Sequence, residues 1–199
     1  MASTDTREQA FGALKQAMDA YYPITASTWR ELQQFCTFRC LDKQQVLYRQ
    51  GDVPDSFAFV YSGLFRVFTT DHNGKEYNKN FFAEGSFPGT MAALLTSTAS
   101  GSSIEALEPS AIVELDFAAY RNLMLKAHDL KLFQIFYLEK NWLLAKDARE
   151  VQLVLEDATT RYQRFLANYP SLSARIPQYH IASHLGITPT QLSRIRKTT

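Results

Sequence analysis

The 22 residues from Ile176 to Lys197 constrain this chain more than any other stretch. Pro177 stands at a helix start, where a missing N–H costs little. Ile181, Ala182 and Leu185 share one helical face, and Gly186 permits the left-handed backbone that ends a helix. Ile187 closes the corner. Thr188-Pro189-Thr190-Gln191 then begins a second helix, with Thr188 as N-cap, Pro189 in the first turn and Gln191 at capping-box spacing. Leu192 and Ile195 face inward, which leaves Ser193, Arg194, Arg196 and Lys197 outside. A small Ala four residues before the Gly and a Leu six after it satisfy the packing of a helix-turn-helix. A second helix with a polar, basic outer face is what a DNA major groove admits.

Charge points the same way. From Thr159 onward there are six cations (Arg161, Arg164, Arg175, Arg194, Arg196, Lys197) and no carboxylate. The other 15 cations and all 20 acids lie in residues 1–158. The net charge of +1 therefore hides an acidic body and a basic tail, and counterion release rewards such a tail on a polyanion.

Residues 5–21 and 25–35 carry helical spacing, on Phe11, Leu14 and Met18 and then on Trp29, Leu32 and Phe35. From Thr37 to Asp116 short β-rich runs alternate with turns about every ten residues. The runs are Gln45–Tyr48, Phe57–Tyr61, Leu64–Phe68, Glu76–Phe82, Ile104–Leu107 and Ala111–Leu115. Asp71-His72-Asn73-Gly74 is a hairpin signal. Such a series argues for an antiparallel sandwich or jelly roll. The hydroxyl-rich segment Thr96–Ser103 interrupts it, as a surface loop or a ligand loop. Phe117–His128 is a helix. A longer one runs from Leu130 to about Asp157, and at 1.5 Å per residue it spans about 40 Å. Tyr137, Leu144 and Val151 recur every seven residues, a seam suited to a partner helix, although Lys140 and Asp147 interrupt it. Thr160–Tyr169 forms a further helix, so the joint between body and tail is Glu156–Thr159.

Several functions are excluded or disfavoured. No apolar run reaches the roughly 18 residues of a membrane span, and Met1–Gln16 lacks a signal-peptide core, so a cytoplasmic protein is expected. Two cysteines, Cys36 and Cys40, are too few for an iron–sulfur cluster or a structural zinc and read as buried on one strand face. The pair His180/His184 reads as a surface-helix feature, not as a metal site. No metal, cofactor or catalytic residue is expected. A cupin-like enzyme needs inward His ligands on strands, and the only His of the strand region, His72, lies in the hairpin turn.

The order of β-roll, long helix and helix-turn-helix resembles the Crp/Fnr (catabolite activator/Fnr) family of bacterial transcription regulators over nearly the whole chain. The resemblance is carried by Leu47-Tyr48-x-x-Gly51-Asp52, Ser62-Gly63-x-x-Arg66-Val67, Asp71-x-x-Gly74-Lys75-Glu76, Glu84-Gly85-x-Phe87-x-Gly89 and the helix-turn-helix. It implies an α+β fold: an antiparallel, cyclic-nucleotide-binding-like β-roll with flanking helices (residues 1–128), a dimerisation helix (129–157) and a DNA-binding domain (158–199) without an obvious C-terminal wing. Expected partners are double-stranded DNA, a second copy through residues 130–157, and a small-molecule effector, with no membrane. In family members that bind cyclic AMP, a Glu and an Arg-Ser pair hold the ribose and the phosphate. Here Thr90 and Ser100-Gly101 stand in those places, so tight cyclic-nucleotide binding is not expected. The candidate effector pocket comprises Phe87, Gly89, Thr90, Met91, Ser100, Gly101 and Ser102. The family's base-reading positions fall on Pro189, Thr190 and Arg194. The expected DNA contacts are thus Thr188, Thr190, Gln191, Ser193, Arg194, Arg196 and Lys197. The rival reading is a small-molecule sensor acting through protein contacts, with a vestigial helix-turn-helix.

Overall fold

The computed structural model describes residues 4–144 and 157–198. Seven strands form two sheets. One has the order β1-β7-β3 and the other β2-β6-β4-β5, with every pairing antiparallel. The strands are β1 (Cys36–Leu41), β2 (Val46–Tyr48), β3 (Ser56–Ser62), β4 (Phe65–Thr70), β5 (Glu76–Phe82), β6 (Ser103–Ala106) and β7 (Ser110–Asp116). The sheets face each other across a core of Leu41, Tyr48, Ala58, Val60, Phe65, Val67, Ile104, Ala106 and Ile112.

Alternation along the strands explains the layers. Ala58 and Val60 point between the sheets, whereas Phe57 and Phe59 point outward under the helices. Buried on both faces, β3 reads as a nearly continuous apolar run. The helices over it are α1 (Thr4–Asp19), α2 (Ala26–Leu32), α4 (Phe117–Lys126) and α5 (His128–Leu138), with α3 (Met91–Thr96) in the segment between β5 and β6. Asp129 fastens this layer by accepting from the Thr25 N–H at 2.8 Å and the Thr28 hydroxyl at 2.9 Å.

The remaining helices are α6 (Ala158–Asn168), α7 (Gln178–Leu185) and α8 (Pro189–Thr198). They cover the outer face of the second sheet. Leu64, Phe81 and Leu107 of the roll join Tyr162, Phe165, Leu172, Ile176, Ile181, Leu185 and Leu192 in one cluster. The tail is therefore docked on its own β-roll.

Helix α3 goes beyond the sequence expectation, and β1 enters that expectation only as the strand face shared by Cys36 and Cys40. The loop expected at 96–103 starts inside α3, and left-handed Ser97 ends that helix. After Leu138 the chain widens into a π-helical stretch, Glu139–Leu143. There the Asn141 amide donates both to the Tyr137 carbonyl and to the Tyr21 hydroxyl, at 2.9 Å each, the kind of side-chain intrusion that loosens a helical ladder. The rest of the expected long helix, with Val151 and Asp147 of its seam, lies outside the described residues. No helix among the described residues is long and apolar enough to cross a membrane.

Cys36 is buried as expected, but Cys40 is exposed. Cys36 packs beneath the helical layer.

Candidate nucleic-acid interface

The turn between α7 and α8 is built as the residues dictate. Gly186 has φ +69°, and the Ile187 N–H reaches back to the Ala182 carbonyl at 3.0 Å, the six-to-one bond that closes a helix end. The next helix opens on a reciprocal cap. The Gln191 N–H donates to Thr188 Oγ1 at 3.2 Å, and the Thr188 N–H donates to Gln191 Oε1 at 2.9 Å. Pro177 stands at the N-cap of α7, one residue ahead of the helix.

Leu192 is buried and Ile195 half-buried against the tail core, while Thr188, Thr190, Gln191, Ser193, Arg194, Arg196 and Lys197 are all exposed or half-exposed on the outer side. Thr190, Ser193, Arg194 and Lys197 are spaced by three, four and seven residues and so share one helical face. Arg196 flanks that face. Thr188 and Gln191 are occupied with each other in the cap. Tyr169–Ile176 forms turns, and no strand occurs in the described tail, so the described helix-turn-helix carries no wing.

The tail's cations divide by position. Arg175 turns away from the exposed face of α8 and forks onto the roll. Its Nη2 lies 2.9 Å from Glu84 Oε1 and 2.5 Å from Glu108 Oε1. Its hydrogen bonds to Glu84, and then to Glu108, raise its pKa above the ordinary arginine value. Burial opposes ionisation of Glu84, but Arg175 and the backbone N–H of Gly63 hold its pKa below the usual carboxylate range.

The two histidines correct the surface-helix reading. His180 is buried and His184 half-buried, and both face β5. His180 Nδ1 lies 3.1 Å from the Asn78 amide nitrogen and 3.4 Å from Arg66 Nη1. Both neighbours are donors, so this nitrogen accepts and the ring is neutral. Burial, and then the charge of Arg66, push its pKa down to about 4 against a small opposing pull from Glu76. Among the described residues no cluster of three or more metal-binding side chains occurs.

The sign of the resulting pH dependence follows. The unfolded chain takes up this proton near pH 6.5 and the folded chain only near 4, so stability is full above that window and falls as pH drops through it. The expected loss across the window is about 3 kcal/mol. Urea midpoints measured from pH 7 to 4 should show it. His180→Gln, which keeps an uncharged acceptor, should remove its share of the slope between pH 6.5 and 5.

The candidate effector residues make contacts with different elements. Phe87 packs on Phe59, Phe133 and Tyr137. A Cβ on Gly89 would meet Phe57 Cβ at 2.8 Å. Thr90 Oγ1 is buried without a hydrogen-bond partner, and Met91 starts α3 against the helical core. Ser100, by contrast, bridges to the β2–β3 loop through backbone bonds with Gly51 and Asp52, both 2.8 Å. Its hydroxyl donates to the Ser102 carbonyl at 2.6 Å, and the Gly101 carbonyl and the Ser102 hydroxyl both engage Thr69 at 3.0 Å. The hydroxyl-rich segment thus spends its polar groups on itself and on its neighbouring strands.

Fold and site together define a β-roll joined to a helix-turn-helix. Residues 38–127 match the cyclic nucleotide-binding domain family. The chain is similar in structure to CLP, described as a c-di-GMP responsive global regulator of Xanthomonas campestris (TM-score 0.68, 18% identity, 87% of this chain and 91% of that one). It is also similar to FixK2 of Bradyrhizobium japonicum (0.68, 14%, 82% and 83%) and to the catabolite activator protein of Thermus thermophilus (0.54, 22%, 92% and 85%). No curated protein sequence matches the chain. The chain has the Crp/Fnr-type fold, built around a cyclic nucleotide-binding domain.

Proposed function

We propose that the chain is a transcription regulator that binds DNA sequence-specifically as a homodimer. Residues 1–128 act as sensor, 129–157 as dimerisation helix and 158–199 as DNA reader. The observation that carries this reading is the outward face of α8, cationic and exposed although the tail is docked. Dimerisation is supported by the apolar side chains left open along α5 and its extension: Ile135, Phe136, Leu138, Trp142, Leu143 and Leu144. Two copies paired there would set two recognition helices about 34 Å apart on successive major grooves.

We assign Arg194 to a guanine edge and Thr190 to a base edge or thymine methyl, with Ser193, Arg196 and Lys197 on phosphates. Thr188 and Gln191, their N–H groups committed to each other's side chains, hold the helix start in place. The sensor domain does not answer to cyclic AMP. A buried phosphate beside Thr90 and Ser100 would meet no guanidinium, and an unpaired buried charge is costly. The one arginine within the strands of the second sheet, Arg66, is already held by Glu105 and Glu76.

Selection of bound duplexes from a random pool, with and without cyclic nucleotides, tests the whole reading. The expected pool contains two related half-sites about one helical turn apart and is unchanged by cyclic AMP. Failure to bind duplex with a steep salt dependence would leave the chain a sensor acting through protein contacts. On the selected site, Arg194→Ala is expected to cost about 1–3 kcal/mol and to relax sequence preference, whereas Lys197→Ala weakens all duplexes alike. Fluorescence-anisotropy titrations against specific and scrambled duplexes separate the two; equal losses on both would refute this division of roles.

A further inference from the structure

The tail meets the roll through an interface with two parts. The apolar part is the cluster around Phe81, Phe165 and Ile181. The polar part lies along β5, the edge strand of its sheet. An open strand edge exposes unpaired N–H and C=O groups, and here α7 takes them up. The Asn78 N–H donates to the Ser183 hydroxyl at 3.1 Å, and that hydroxyl donates to the Glu76 carbonyl at 3.1 Å. His184 Nδ1 donates to the Asn78 carbonyl at 3.3 Å, and the Asn78 side chain reaches the His180 carbonyl at 3.3 Å. At one end the Tyr169 hydroxyl donates to Asn80 Oδ1 at 3.1 Å, and Arg175 adds its fork onto Glu84 and Glu108. None of these side chains belongs to α8.

We propose that this interface is a latch that sets the angle at which α8 is presented, and so fixes the half-site spacing that a dimer accepts. The inference rests on the DNA-reading role proposed above. It follows from which helices are engaged. Docking uses α6, α7 and the turn that carries Arg175, while the outward face of α8 stays open, so the latch does not occlude the reader. What it does is orient that reader with respect to the roll. Several directional hydrogen bonds along one strand, with a two-pronged guanidinium clamp beyond its end, resist rotation in a way that an apolar surface alone does not.

The test uses the full chain and the variant Arg175→Ala with Ser183→Ala, two side chains outside the DNA-facing set. Spin labels on Cys40 and on a cysteine introduced at Gln163, diluted with unlabelled chain, report the roll-to-tail distance. A single narrow distribution is expected for the full chain and a broad one for the variant. In parallel, affinity is measured for the selected duplex, for one with the half-sites moved by about 5 bp, which turns the second site to the opposite side of the helix, and for a duplex with one half-site. The full chain should lose at least about tenfold on the shifted duplex and the variant less than about threefold. Affinity for a single half-site should be the same for both. A variant that keeps the narrow distribution or the sharp spacing preference overturns the latch. A full chain that binds no duplex overturns the DNA reading and the spacing role with it, and the distance measurement then decides whether a latch exists at all.

Discussion

Arg66→Leu is expected to destabilise the chain by about 3–5 kcal/mol, the range for breaking a buried ion pair from one side. Arg66 sits in β4 with its side chain 6% exposed, on the outer face of the sheet and under the tail. Its Nε lies 3.1 Å from Glu105 and its Nη1 2.5 Å from Glu76, with the guanidinium 3.8 Å from the centre of the Phe68 ring. Burial alone would disfavour the charge, but the two carboxylates outweigh it and raise the pKa above the ordinary value. Removing the cation strands Glu105, which is 15% exposed, whereas Glu76 is 42% exposed and can rehydrate. The double variant Arg66→Leu with Glu105→Leu removes both charges and should recover most of the loss, since apolar replacements of whole buried pairs are often neutral. Urea denaturation of the two variants decides it. A loss below about 1 kcal/mol for the single change would mean that the pair is solvated and contributes as little as a surface bridge. Hydrogen exchange should rise first in α7 and β5, because Arg66 also donates to Asn78 Oδ1 at 3.4 Å and so helps aim the amide that meets His180.

The same residue shows where the sequence was legible and where it was not. Leu64-Phe65-Arg66-Val67-Phe68 announces a strand by its apolar residues, and β4 runs Phe65–Thr70. Alternation puts Phe65 and Val67 in one core and leaves the other face to Arg66 and Phe68, a pairing that suits solvent as well as a docked domain. Nothing local distinguishes the two, because the tail helix that covers them is more than a hundred residues away. His180 and His184 are ambiguous for the same reason: four residues apart on a helix, they share a face whether it meets water or a strand. The hairpin strand Glu76–Phe82 and the helix-turn-helix were readable because their determinants are local. Gly186, the Thr188–Gln191 cap and inward Leu192 all act within a few residues. The short helix Met91–Thr96 lacks a side-chain cap hydrogen bond and is only six residues long, too brief for a periodic signal. Among the cations of the tail, charge sign was readable along the chain but charge destination was not. Arg175 and Arg194 look alike in sequence, yet the first is clamped by Glu84 and Glu108 and the second stands in solvent.

Gly63→Ala is expected to cost about 4 kcal/mol, from two penalties of roughly 1–3 kcal/mol each that act together. The first is backbone strain, since Gly63 has φ +107°, a conformation that L side chains rarely adopt. The second is steric. A Cβ built at Gly63 would stand 2.1 Å from Ser110 Oγ, 2.5 Å from its Cβ and 2.8 Å from its Cα. A side-chain oxygen could rotate away, but the Cα belongs to the first residue of β7, which is paired in the first sheet. The backbone would have to move, and with it the Gly63 N–H that donates to Glu84 Oε1 at 2.8 Å. That carboxylate is one prong of the clamp on Arg175, so a single added methyl should loosen the tail as well as the turn. Gly12 in α1 is the matched control: nothing lies within 4 Å of a Cβ there and φ is helical, so Gly12→Ala should stabilise by about 0.5–1 kcal/mol. Thermal and urea unfolding of both variants gives the comparison. Gly63→Ala combined with Ser110→Gly removes the clash with the serine side chain. It leaves the strain and the crowding against the backbone of residue 110, so it should recover part of the loss and no more. Full recovery would show that crowding by the serine side chain, and not the backbone conformation, is what reserves this position for glycine.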